Sequence, residues 1–433
     1  MTVIDLGELR DEPGREEAPL PRPPRAVGRP LRVALALALV VATMAGAAPA
    51  PQRDTFVVPA GAGAQAFLDD DRLYVVEQAE GEVTGTAEVR AYTLPQRSPV
   101  AGRPPVPLWR AVVRSTGRFW QARTWPGVVV FAVSGQQDQG SRTLALDAAT
   151  GSERWRRPGY PWWDSNGMLL LQSGGDDGGA VQLVDPASGR AIWSARTPRA
   201  GAMYDARDGL IDRVVLFVAR GRVEVRDARS GELLHVRDLG LGELSGHAQV
   251  TVAHGLLLIV QAKRGVLTAY GLDGLRQRWE TSLPTAAHVG NCGGVICVNG
   301  QSGEFKALDP ATGAVRWTGG RSAGVLHERD GRLLAIEPGT LGERFVLLDA
   351  STGRTIADLG TWQLVLGDDD DRHFVVRPAD TGGGLVVAEL DAAAGRSQVL
   401  DVLRDATGDC RRGRDTVACR LRTGGLGVWR FPR

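Results

Sequence analysis

The chain has 433 residues, a formal net charge of +1 and 43% hydrophobic residues. This balance excludes attachment to nucleic acid or to an anionic membrane surface through bulk charge. About 370 residues belong to one repeating region, enough for a single large domain and no second one.

Residues 1–30 are polar, carry both charges and are broken by Pro13, Pro19, Pro21, Pro23, Pro24 and Pro30. That composition buries no core and predicts a disordered cytoplasmic tail. Residues 31–48 hold the uncharged run Val33 to Ala48, preceded by Arg22, Arg25, Arg29 and Arg32 and closed by Pro49 and Pro51. The run predicts one helix, with the positive side kept in the cytoplasm. Two readings stand side by side. A transmembrane signal anchor needs about 17–25 residues, and counting from Leu31 just meets that. A signal peptide needs a small-residue cleavage site, which Ala45-Gly46-Ala47 offers. The first gives a single-pass membrane protein with an extracytoplasmic domain; the second gives a secreted one. No cysteine closely follows the run, so no lipid anchor is expected. Residues 49–63 read as a linker.

From residue 64 to 433 the chain repeats itself. A first unit is built from RLYVVE (72–77), EVRAYTL (88–94) and PLWRA (107–111). A phrase then recurs: apolar residues, Asp, small residues, Ser or Thr, Gly, and Trp four residues later. Clear copies place Asp147, Gly151 and Trp155; Asp185, Gly189 and Trp193; and Asp309, Gly313 and Trp317 in register. Weaker copies run over 224–235, 268–279 (ending in Trp279), 346–357 and 388–399. The step of roughly 40 residues is that of a propeller, solenoid or array. One unit, 249–283, reads as four strands of five to nine residues joined by short turns, which is the antiparallel meander of a propeller blade. The Asp carboxylate suits backbone N–H groups two or three residues on, and the Gly suits a left-handed turn. The Trp, on the fourth strand, is a wedge between blades whose N–H needs a polar partner. The expectation is an all-β propeller of four-stranded blades. Eight blades are favoured, with the last strands, 416–421 and 426–431, completing the ring; a plain strand count gives nine.

These motifs resemble the repeat of the pyrroloquinoline-quinone-like propellers, over nearly all of the chain beyond the N-terminus. That group takes in quinoprotein alcohol dehydrogenases and the non-catalytic BamB-like propellers. The resemblance implies fold more than function. The dehydrogenases hold a quinone and Ca²⁺ with the help of adjacent cysteines and long insertions. This chain has neither, so no cofactor, no metal and no catalytic residue is expected.

Four cysteines allow three pairings. Cys292 with Cys297 and Cys410 with Cys419 each bracket one hairpin, so local disulfides are expected, in keeping with export. The acidic runs at 69–71 and 368–371 precede Arg and an apolar strand and read as turns. Gly320-Arg321-Ser322-Ala323-Gly324 matches a nucleophile elbow in letters, but it joins two blades and no helix follows. His235 stands at a Trp position of the repeat and reads as a packing substitute. Trp120, Trp125, Tyr160, Trp162, Trp163, Tyr204 and Trp362 fall before or within first strands, with arginines close by. Aromatic and Arg surfaces are typical of binding hot spots, so these residues form the candidate binding face. The expected function is that of a membrane-tethered, extracytoplasmic, non-catalytic scaffold for an envelope protein, peptide or glycan, with no nucleic-acid partner. A quinone-dependent dehydrogenase and a ligand sensor are the alternatives.

Overall fold

In the computed structural model the described residues lie within 55–432, apart from 70, 79–84, 95–104, 116, 136–139, 175–177, 198–200, 219–220, 240–247, 262–263, 285, 301–302, 322–323, 340–341, 368–371 and 381. They form 35 strands in eight antiparallel sheets, seven of four strands and one of seven. The seven-stranded sheet is two meanders that share one long strand, Thr355–Leu364, whose end pairs with His373–Pro378. Counted by meander there are nine blades: 65–114, 119–158, 160–197, 202–238, 248–282, 286–321, 324–362, 363–404 and 406–430. We number them 1 to 9. Each touches the next, and blade 9 touches blade 1.

Eight four-stranded blades is therefore not the arrangement. Blade 1 supplies all four of its strands from 65–114, so it leaves no place for the C-terminal ones. Those form their own blade with Ala406–Arg412, and its outer strand is Thr55–Val58, from within the expected linker, with Thr55 opposite Trp429 and Val58 opposite Leu426. The N-terminal helix also needs correction. No helix among the described residues is long and apolar enough to cross a membrane. The single-pass topology and the membrane as a partner are therefore no part of the described fold. The segments that suggested them, 1–30 and 31–48, lie outside the described residues.

Position in the blade explains composition. Second strands such as Val128–Val133 (VVVFAV) are buried at every residue, because neighbouring blades cover both faces. The outermost strand Leu233–Asp238 is exposed at every position but His235. Turns between first and second strands use Asp208-Gly209, His254-Gly255 and Asp330-Gly331, each with two successive positive φ angles. Such turns match the twist of the strands they join.

The repeated phrase is the joint between blades. The Asp147 carboxylate accepts the N–H groups of Ala149 and Thr150, both at 2.9 Å, and Gly151, at φ 74°, donates its N–H to the Asp147 carbonyl. Asp227, Asp309 and Asp349 hold their turns by the same pair of backbone bonds. Each turn then receives the Trp of the blade before it. Indole N–H groups of Trp109, Trp155, Trp193, Trp279 and Trp317 donate to the carbonyls of Ala148, Pro186, Ala228, Pro310 and Ala350, at 2.8–3.0 Å. The rings lie flat on the turn glycines. A Cβ added at Gly151, Gly189, Gly231, Gly313 or Gly353 would meet the indole at 2.4–2.6 Å.

One joint is reversed. Between blades 4 and 5 the Trp position holds His235 and the glycine position holds Leu275, which is fully buried at φ 53°. The apolar bulk has moved from the first partner to the second. We expect His235→Trp alone to destabilise the fold, because the indole would meet Leu275. Adding Leu275→Gly should restore it. The double-mutant cycle in denaturant should give a favourable coupling of roughly 0.5–3 kcal/mol; simple additivity would mean that the two residues do not share a joint.

The turn aspartates also set an acid limit. Asp147 and Asp309 are held below the ordinary carboxylate range first by Arg154 and Arg316, Asp185 by the Ser188 hydroxyl and Asp227 by the Ser230 N–H. The Ser351 hydroxyl leads in lowering Asp349 to about 2. A depressed folded-state value means stability that is complete above the ordinary range of about 4. It is lost as pH falls through the folded values. The melting temperature should accordingly stay level down to about pH 4 and drop from there towards 2.

Candidate functional site

In an antiparallel meander the start of the first strand, the end of the second, the start of the third and the end of the fourth lie on one side. This side of the ring is the lead-in face, since the chain enters each blade there. First strands contact one another through blades 4, 5, 6 and 7 in succession and through blades 9, 1 and 2.

The aromatic residues divide between the two faces. Trp120 stands at an irregularity in pairing, between Phe119 opposite Val133 and Gln121 opposite Ala132. Such a bulge re-aims a side chain, and Trp120 is 56% exposed, with the Arg118 guanidinium 5.9 Å from its ring centre. Tyr160, Trp162 and Tyr204 are together on the lead-in side. Trp162 is 44% exposed, with ring centres 5.8 Å from Tyr160 and 5.0 Å from Tyr204. The Tyr160 hydroxyl donates to Gln121 Oε1 at 2.9 Å and the Tyr204 hydroxyl to Gln172 Oε1 at 3.0 Å. Trp125 and Trp163 sit at the far ends of their strands, on the opposite face. Their rings meet edge to face at 5.9 Å, and the Trp125 indole donates to the Gly167 carbonyl at 2.7 Å. Trp362 stands apart from both groups. It is 4% exposed and donates to the Leu359 carbonyl at 2.7 Å, under the Arg377 guanidinium.

Three cavities open on the lead-in face. One of about 500 Å³ lies where blades 8, 9 and 1 meet and is lined by Gln65, Arg118, Gln363, Leu366, Asp409 and Arg411, among others. Arg420 closes one side by donating to the carbonyls of Gly61, at 2.8 Å, and Ala64, at 2.5 Å. A second, of about 140 Å³ between blades 1 and 2, is lined by Arg114, Arg142, Arg156, Ser115 and Ser134. Arg156 is tied to Glu153 at 2.7 Å and to the Arg114 carbonyl. The third, of about 280 Å³ between blades 3 and 4, is lined by Tyr160, Trp162, Gln172, Ser173, Gly174, Thr197 and Gly201.

Disulfides link Cys292 to Cys297 and Cys410 to Cys419, each between the first and second strands of a blade, and Cys410 also lines the cavity where blades 8, 9 and 1 meet. Among the described residues no group of three or more His, Cys, Asp or Glu side chains is placed to hold a metal ion. Asp69 is a turn residue whose carboxylate accepts the Thr124 N–H at 2.8 Å; 368–371, Ser322 and Ala323 lie outside the described residues. Gln121, Gln172 and Arg411 were not among the residues singled out from sequence. Only Gln172 carried a signal, as a polar residue after the apolar run Leu169 to Leu171; Gln121 and Arg411 stand among other polar residues of their strands and carried none.

The family described as outer membrane protein assembly factor BamB matches residues 263–409, about a third of the chain. The chain is a β-propeller related to that family over part of its length. The solved structure of BamB from Moraxella catarrhalis is 15% identical, covering 88% of this chain and 98% of that one at a TM-score of 0.37. The computationally designed Ika8 protein is 16% identical, over 73% and 96% of the two chains at a TM-score of 0.46. Saccharomyces cerevisiae Sqt1 is 12% identical, over 70% and 93% at 0.43. No curated protein matches the chain. With TM-scores this low, the blade arrangement rests on the strand pairings themselves.

The two kinds of tryptophan should separate by melting. Ala at Trp155 or Trp317 removes a buried ring and its hydrogen bond, and should cost roughly 3–5 kcal/mol. Trp193, less buried, should fall at the low end of that range. Ala at Trp162, already half in solvent, should cost much less; an equal loss would mean that this ring is core.

Proposed function

We propose that this chain is a non-catalytic propeller scaffold that holds a partner on its lead-in face, outside the cytoplasm. One observation carries the reading: the three cavities and the exposed rings of Trp120 and Trp162 share that face. Aromatic rings with arginines beside them are the usual anchors of recognition surfaces, and a rigid ring keeps the cost of ordering such a surface low. Two disulfides support an oxidising compartment. The description of the matching family as an outer membrane protein assembly factor supports a part in envelope assembly. The partner on this reading is an envelope protein, a peptide or a glycan.

The test is capture from an envelope extract by the tagged full chain, with wild type, Trp120→Ala, Arg118→Glu and Arg229→Glu compared. Arg229 is exposed on the opposite face, in the third-to-fourth-strand turn of blade 4. The two lead-in variants should lose the captured partner by about tenfold or more, as expected of an aromatic or Arg anchor, and Arg229→Glu should retain it. Equal retention by all variants would overturn the reading.

A further inference from the structure

Resting on that reading of the lead-in face, we propose that the cavity between blades 3 and 4 binds one ring of a neutral glycan. Its lining is aromatic on one side and polar without charge on the other. Tyr160 and Trp162 come from the strand Tyr160–Trp163; Gln172 and Ser173 come from the adjoining strand; Thr197 and Gly201 close the far side. None of these side chains is charged at neutral pH. Among the described residues the lining offers an ionic ligand no opposite charge to compensate its desolvation. A sugar ring has the complementary character, an apolar face of C–H groups and a rim of hydroxyls.

The two walls are fixed in place. Trp162 is held between Tyr160 and Tyr204 while nearly half of it remains exposed. Tyr204 is a lasting proton donor, because burial pushes its hydroxyl well above the ordinary phenol range. It donates to Gln172 Oε1 at 3.0 Å, which orients the amide and leaves the two N–H groups of Nε2 on the other side. A Cβ at Gly201 would come within 2.8 Å of Nε2, so glycine is what gives the amide its room. The cavity, about 280 Å³, lies just under the range of about 300–1,000 Å³ for small-molecule sites, which suits a single ring. Among the described residues nothing lies within 4 Å of a Cβ added at Gly174, so the rim is open there for a longer glycan to continue. A proline-rich peptide fits less well. It needs a groove of successive aromatic slots, and here the aromatic surface is one wall of a single cavity.

The experiment uses the purified full chain and its own tryptophan fluorescence. It is titrated with maltohexaose, cellohexaose and the hexamer of N-acetylglucosamine, and in parallel with polygalacturonate and a proline-rich peptide. At least one neutral hexamer should give saturable binding that weakens tenfold or more in Trp162→Ala. Gly174→Leu should do the same while melting like wild type, because the leucine fills open space. That variant keeps the test decisive if Trp162→Ala folds poorly. Failure of all three neutral hexamers, binding unchanged in Gly174→Leu, or binding of polygalacturonate or the peptide alone would each overturn the proposal. Partner capture that still depends on Arg118, with no sugar bound, would remove the glycan and leave the binding face standing.

Discussion

A tryptophan resting on the next blade's glycine is the contact from which the ring is built. The indole fixes two things at once. Its flat face sets the spacing between blades, and its single N–H, bonded to the carbonyl beside the turn Asp, sets their rotation. A ring that buries its polar atom in only one orientation admits one docking geometry. Glycine follows from the other side, because the turn needs a positive φ and the indole occupies the space of a Cβ. Five of the nine joints are made this way, and the rest use substitutes. Leu275 against His235 is one. Between blades 8 and 9, buried Arg372 bonds both Glu389 and the Phe431 carbonyl. Between blades 9 and 1, Arg420 holds the carbonyls of Gly61 and Ala64.

Five joints were legible in the sequence because the phrase writes the turn Asp and Gly of one joint and the Trp of the next at fixed spacing. Asp147, Gly151 and Trp155 are constrained together, so the phrase survives repetition. The number of blades was not legible, for two local reasons. Thr55–Val58 is four residues of TFVV in a stretch rich in small residues, and only its partner Leu426–Arg430 makes it a strand. Thr355–Leu364 runs without a turn, so no punctuation separates one blade from the next. The expected membrane helix rested on 31–48, and no helix that could cross a membrane stands among the described residues.

The binding face was legible in part. Sequence placed Tyr160, Trp162 and Tyr204 near one another because equivalent positions of neighbouring repeats lie side by side. It gave no warning that Trp125 and Trp163, only a few residues on, belong to the opposite side, since four or five residues of strand cross the whole ring thickness. Trp362 was drawn in by its place just before a first strand. With fourth and first strands fused there, its ring turns back onto the Leu359 carbonyl. The bulge that projects Trp120 leaves no mark in the letters FWQ.

The fused strand Thr355–Leu364 has a mechanical consequence. It stands where the repeat lacks its wedge, for Ala357 holds the Trp position and a Cβ added at the facing Gly395 would meet only the Ala357 methyl at 3.6 Å and Leu347 Cδ2 at 3.9 Å, both in ordinary contact. Covalent backbone and a shared ladder of hydrogen bonds take over from side-chain contact. Blades 7 and 8 then behave as one double-width plate. No tryptophan can be removed to part these two blades: they are one seven-stranded sheet, joined through Gln363 opposite Val376 and Leu364 opposite Val375, so a substitution that loosens a side-chain joint elsewhere has no counterpart here.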